Sequence, residues 1–267
     1  MAAVSPSVRR VPLIAGNWKM NLDHLQAIAV VQKLAWTLKD AGHDFSAVEA
    51  AVFPPFTDLR SVQTLVSADK LPIAFGGQDV SEHVSGAYTG EISAAFLAAL
   101  ECRYVIIGHS ERRTLHGETD EQVAAKTAQA IAHNIAPIIC VGETAEDLEV
   151  HGASAVPVAQ LRAALAQVDS AADFVVAYEP VWAIGSGQAA TPEQAEQVAA
   201  ALRAVIVELL GEDVAAKTRI LYGGSVKSSN IAAFMREPNV DGALVGGASL
   251  DVAEFSSIIR YQKHVGI

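Results

Sequence analysis

Eight times along this chain a short apolar run is followed by a longer stretch with helical period, and that repeat restricts the fold more than any other feature. The strand-like runs fall at residues 11–16, 47–53, 72–76, 104–108, 137–141, 174–178, 219–222 and 242–245. Helical segments follow them at 22–39, 57–68, 92–100, 119–133, 155–168, 192–210, 228–234 and 252–261. Several strands are almost continuously apolar, as expected where both faces of a parallel sheet are covered. Eight strand–helix units in 267 residues, with no linker or low-complexity break, predict one α/β domain over 1–267. The matching architecture is a closed eight-stranded parallel (β/α)8 barrel, with 1–10 as a short mobile tail. A doubly wound sheet would carry G-x-G-x-x-G after its first strand; Gly16-Asn-Trp-Lys19 stands there instead.

Composition narrows the partners. With 51% apolar residues the chain can fill a core of this size. A net charge of −11 argues against non-specific binding to nucleic acid or anionic membranes, and it requires any anionic ligand to find a locally positive site. The longest stretch without a formal charge, 127–142, is broken by His133, Asn134 and Pro137. It is shorter than the roughly 20 residues a membrane span needs. The start, with Arg9 and Arg10 and no small-residue cleavage pattern, does not read as a signal peptide. Cys102 and Cys140 are too few for a disulfide framework and have no neighbours suited to a metal site, so a reducing, cytoplasmic setting is expected.

In such a barrel the chemistry gathers where strands end and loops begin. The strand ends here carry Asn17 and Lys19, Gln78, His109, Gly142 and Glu143, Glu179, Gly223-Gly-Ser225, and Gly246-Gly247. Glu179 is followed by Pro180, which keeps the acid's backbone extended. Next come the apolar Val181, Trp182, Ala183 and Ile184, then Gly185, Ser186 and Gly187, together read as a hinged lid over a catalytic carboxylate. Bracketing by Pro180 and the glycines speaks against a helix at the apolar tip, and water exclusion by that tip would raise the acid's basicity. Taken alone, Glu179 could equally be a buried ion-pair partner.

His109 stands where a short helix starts at Ser110, so backbone N–H groups favour a neutral imidazole able to donate one N–H to a developing oxyanion. A plain helix cap is the competing account. Lys19 would supply positive charge at the rim, oriented by Asn17, although most lysines are merely solvated. Glu111, Arg112 and Arg113 read as support for the His109 loop, with Glu111 also within reach of Lys19. The glycine pairs after strands seven and eight match the usual barrel phosphate site, while either pair alone could be a tight turn. Cys140 reads as a small buried residue with no adjacent base.

One base, one hydrogen-bond donor, one lysine, a phosphate cradle and a lid, with no metal cluster, cofactor motif or nucleotide fingerprint, describe proton abstraction beside a carbonyl. Glu179 would move a proton between adjacent carbons of a phosphorylated carbonyl compound while His109 and Lys19 hold the enediolate oxygens.

The motifs Asn17-Trp-Lys-Met-Asn21, Gly86-Ala-Tyr-Thr-Gly-Glu91, Gly108-His-Ser-Glu-Arg-Arg113, Ala177-Tyr-Glu-Pro-Val-Trp-Ala-Ile-Gly185, Tyr222-Gly-Gly-Ser225 and Leu244-Val-Gly-Gly-Ala-Ser-Leu250 resemble, in order and along almost the whole chain, the triosephosphate isomerase family. The resemblance implies a TIM barrel that interconverts dihydroxyacetone phosphate and D-glyceraldehyde 3-phosphate in glycolysis and gluconeogenesis. It implies Glu179 as base, His109 as electrophile, Asn17 and Lys19 as electrostatic partners, and phosphate contacts from Gly185, Ser225, Gly246 and Gly247. It also implies a homodimer in which the loop from Gln78 to Gly90 reaches the partner's site and Thr89 supports the partner's Asn17. Three positions depart from the family's habit: Ser186 for threonine, Gly77 for alanine, and Met20 for cysteine. The rival accounts are another phosphate-binding barrel, an epimerase or aldolase, and a non-catalytic barrel that only binds sugar phosphates or a protein partner.

Overall fold

In a computed structural model, which describes residues 10–184 and 189–263, eight parallel strands close on one another in sequence order. They are β1 Leu13–Asn17, β2 Glu49–Phe53, β3 Ala74–Gly77, β4 Tyr104–Ile107, β5 Ala136–Val141, β6 Val175–Tyr178, β7 Arg219–Tyr222 and β8 Gly242–Val245. The seam pairs β1 with β8, Leu13 opposite Gly242. The lid residues Gly185, Ser186 and Gly187 lie outside the described residues, as does the tail through residue 9. Arg10 does not belong to a mobile tail: its Nε lies 2.5 Å from Asp241 Oδ1, and it donates to the Pro238 carbonyl at 3.0 Å.

Alternation along each strand sorts its residues into two packing layers. Leu13, Ala15, Tyr104, Ile106, Ile138, Cys140, Val175 and Ala177 pack inside the barrel. Their neighbours Ile14, Val105, Ile107, Ile139 and Val176 face the helices, where they meet Leu34, Val123, Leu161, Val198 and Leu202. Both layers are buried, which explains the uninterrupted apolar runs in the sequence.

The major helices are His24–Asp40, Phe56–Asp69, Asp120–Ala132, Ala155–Ala164, Pro192–Leu210 and Val252–Ile259. Capping boxes start three of them, at Asp23 with Gln26, Thr119 with Gln122 and Thr191 with Gln194, satisfying backbone donors at the first turn. Two further helices, Ala145–His151 and Glu212–Lys217, add to the expected eight units. Ala145–His151 buries no residue, so its sequence carries no amphipathic period to detect. Among the described residues no helix is long and apolar enough to cross a membrane.

Candidate active site

The inward parity of the strands continues past their ends. Asn17 follows Leu13 and Ala15, Glu179 follows Val175 and Ala177, Gly223 follows Leu221 and Gly246 follows Leu244, so all four fall on the inner side. All four line one cavity of about 480 Å³ together with Lys19, His109, Glu111, Ile184, Ser225 and Gly247. His109 is out of parity, and Gly108 corrects it. With φ at +70°, a conformation glycine adopts without a Cβ clash, Gly108 turns the chain so that His109 caps the helix Ser110–His116.

Glu179 is only 2% exposed. Its Oε1 lies 3.0 Å from His109 Nε2, and its Oε2 accepts the Ser110 N–H at 3.1 Å. Its backbone N–H donates to the Val141 carbonyl at 2.8 Å, and Gly223 N–H donates to Tyr178 O at 2.7 Å, clamping the strand end between its neighbours. A Cβ at Gly142 would overlap the Glu179 carbonyl, and one at Gly223 would come 2.8 Å from its Cγ. Burial pushes the Glu179 carboxyl up, but the His109 charge and hydrogen bond, the Ser110 amide and Lys19 outweigh it, and the group is held below the ordinary carboxylate range. The expected rise in basicity is present as the burial contribution, and His109 at its present position outweighs it.

For His109, burial opposes the charged ring, and the Glu179 carboxylate overcomes that opposition and raises its pKa. Nδ1 accepts the Glu111 N–H at 3.1 Å, so the proton of a neutral ring sits on Nε2, facing Glu179. The helix start supplies one N–H to the ring, and the raised pKa follows from the carboxylate at its present position.

Lys19 takes a left-handed backbone, φ +52°, unusual for a residue with a side chain. Two partners hold it there: Asn17 Oδ1 accepts its N–H at 3.0 Å, and Gln78 Nε2 donates to its carbonyl at 2.7 Å and to Phe53 O at 2.8 Å. Asn17 therefore orients the Lys19 backbone rather than its ammonium, and Gln78, expected in a loop directed at a partner, braces its own chain's site. The Lys19 ammonium pairs with Glu111 Oε1 at 2.5 Å. Arg113 donates to the Gly108 carbonyl at 2.9 Å and pairs with Asp120, while Arg112 meets Asp79 and Glu118, so both arginines support the His109 loop. Thr89 is exposed, in a loop whose Gly86 and Gly90 take positive φ.

Two glycines open the rim beside Lys19. A Cβ at Gly247 would meet nothing, and one at Gly246 would meet only Lys19 Cε at 3.8 Å, so their backbones are bare toward the cavity. Beyond Glu179, Pro180 leads into one 3-10 turn, Val181–Ala183, where no helix was expected; the turn is too short for bracketing residues to forbid. Glu143, which the sequence offered only as a strand end, anchors this turn. Its carbonyl accepts Val181 N–H at 3.0 Å, and its fully buried Oε1 accepts Trp182 Nε1–H at 2.8 Å and Tyr178 OH at 2.9 Å. Burial raises its pKa, with the Trp182 bond opposing. An acid beside Gly142, one residue past a strand, was the available signal.

A family model described as triosephosphate isomerase matches residues 12–262. The chain is 89% identical over 258 residues to a triosephosphate isomerase from Leifsonia xyli subsp. xyli, an alignment that covers 97% of this chain and 100% of that one. It is 55% identical over 255 residues to one from Streptomyces avermitilis, covering 95% and 98% of the two chains. One from Corynebacterium efficiens is 56% identical over 258 residues, covering 96% and 97%. The matched span runs through all eight strands and every rim residue described above, and the chain belongs to the triosephosphate isomerase family.

Proposed function

We infer that this protein is a triose-phosphate isomerase, interconverting dihydroxyacetone phosphate and D-glyceraldehyde 3-phosphate through an enediolate, at that step of glycolysis and gluconeogenesis. The observation that carries the reading is the buried Glu179 carboxylate, 3.0 Å from His109 Nε2, in one cavity with Lys19 and the bare glycine loops.

Glu179 takes the proton from C1 of the ketose, and the electrons left behind form the C1–C2 double bond as the carbonyl becomes an oxyanion. His109 Nε2–H and the Lys19 ammonium stabilise that oxygen. His109 Nε2 gives its proton to the C2 oxygen and takes the one on the C1 hydroxyl, Glu179 returns its proton to C2, and C1 becomes the aldehyde of the aldose. A substrate oxygen that takes over the His109 Nε2–H removes the leading attraction that lowers Glu179; burial then dominates, and the carboxylate becomes the stronger base. Asn17 and Gln78 set the backbone of Lys19, Ser110 and Glu111 set Glu179 and His109, and the amides around Ser225, Gly246 and Gly247 receive the phosphate. Gly185 is assigned to the same phosphate. The lid from Pro180 to Gly187 shields the enediolate, which would otherwise expel phosphate.

The protein acts as a homodimer in the cytoplasm. Met20, Val84, Tyr88, Phe96 and Leu115 are large apolar residues exposed by 45 to 95%, on or beside the loops after β1, β3 and β4, and a second copy would cover them. Sedimentation at micromolar concentration that finds only the 28.0 kDa species overturns the dimer. For the activity, the coupled assay of dihydroxyacetone phosphate formation is run on wild type and Glu179→Gln. An inactive wild type, or a mutant equal to it, overturns the isomerase.

A further inference from the structure

The loop after β7 carries one charge that the isomerisation does not use. Lys227 lines the same cavity as Lys19 and Glu179, and its side chain is exposed. Among the described residues it forms no ion pair. Its backbone is nevertheless fixed. Lys227 N–H donates to Asn230 Oδ1 at 2.8 Å, and Asn230 Nδ2 donates to the Ser225 carbonyl at 3.0 Å, so one asparagine ties the lysine to the proposed phosphate loop. The next residue, Ser228, gives both its N–H and its hydroxyl to Glu254, at 2.7 and 2.9 Å. The cation therefore stands at a defined place on the rim while its ammonium stays in water.

The charge of the cavity lining makes that placement matter. Lys19 and Lys227 balance Glu111 and Glu179, and Lys19 is already engaged by Glu111 at 2.5 Å. Without Lys227 the lining would be net negative, in a chain of net charge −11, and a phosphate dianion would meet repulsion at the entrance.

We propose that Lys227 is a recruiting cation: its exposed ammonium draws the phosphate dianion of the substrate to the loops after β7 and β8, and it takes no part in proton transfer. The proposal rests on the isomerase reading for the identity of the substrate. A recruiting charge acts through solvent, so its effect is set by its sign and is screened by salt.

The test uses the full-length protein with Lys227→Gln and Lys227→Arg, assayed from about 0.01 to 0.3 M ionic strength. Expected is a loss of about fivefold in kcat/KM for Lys227→Gln at low salt, with kcat within about twofold of wild type. The gap should close at high salt, and Lys227→Arg should behave as wild type. Equal salt slopes for wild type and Lys227→Gln, a proportional fall in kcat, or an arginine variant as poor as the glutamine one each overturns the proposal. If wild type does not isomerise, the isomerase reading fails by itself, and inorganic phosphate titrated by phosphorus NMR decides recruitment. Salt-sensitive phosphate binding weakened in Lys227→Gln supports it, and equal binding by both proteins overturns it.

Discussion

The two ends of the barrel are built from the same kinds of residue and use them in opposite ways. At the end where the strands begin, Glu49 is shared by Arg219 at 2.7 Å, Arg103 at 3.0 Å and the Tyr104 hydroxyl at 2.9 Å. Asp241 is held there between Arg10 and Arg203 and also accepts the Ile220 N–H. A larger hollow, about 730 Å³, opens at this end between residues 170–174 and 210–218. No acid, histidine and lysine converge in it as they do at the other rim. At the end where the strands finish, His109 Nε2 and the Lys19 ammonium also have partners, but these are single acceptors, Glu179 and Glu111, in the place where the proposed substrate oxygen would stand. A charge satisfied on all sides stabilises; a charge satisfied provisionally can react.

The largest expected effect comes from removing the replaceable charge. Glu179→Gln should lower kcat by about 10³-fold with the melting temperature of the fold retained, measured by the coupled assay and by thermal denaturation. A comparable loss of melting temperature would erase the contrast between the two ends. The converse is Arg219→Met, which leaves Glu49 short of the more buried of its two arginines. That variant should lose about 3 kcal/mol in denaturant unfolding while the folded fraction keeps its turnover. A fall in kcat under folding conditions would mean that the lower network also shapes the site.

Deleting Val181, Trp182, Ala183 and Ile184 should cost about tenfold in turnover and divert product toward phosphate elimination and methylglyoxal. Unchanged partitioning removes the protective role of the lid. The smallest effect is a pKa. Glu179 raises His109 above 6.5 against burial, so in Glu179→Gln burial acts without that charge and the His109 pKa should fall below 6.5 in a ring NMR titration. The stability linked to the pair has a window. The lowered Glu179 contributes above its unfolded value of 4.5 and loses this as pH falls through its folded value. The raised His109 contributes below 6.5 and loses this as pH rises through its folded value. Wild type should therefore gain most over the variant between these limits, which urea unfolding at stepped pH would detect.

The strand count, the strand order and the rim positions of Asn17, Lys19, His109 and Glu179 were legible because alternation and apolar runs are local properties of sequence. The motif resemblance added the identity of the triose phosphates. Long-range contacts were not legible. Nothing near Gln78 says that its amide will reach the Lys19 carbonyl, and nothing near Glu143 says that Trp182 will fold back onto it. The lowered Glu179 pKa was missed for the same reason: its leading cause, His109, is 70 residues away in sequence and 3.0 Å away in space. Arg10 was read as tail because its partner Asp241 lies at the far end of the chain.

The β1–β8 seam has a consequence for the protein's birth. A chain emerging from the ribosome presents Asn17, Lys19, His109 and Glu179 long before Gly246 and Gly247, and β1 finds its second neighbour only when β8 arrives. Until then the second of the two loops assigned to the phosphate, Gly246 and Gly247, is missing. Synthesis and closure are ordered by topology: the last strand to be made is the one that completes the barrel.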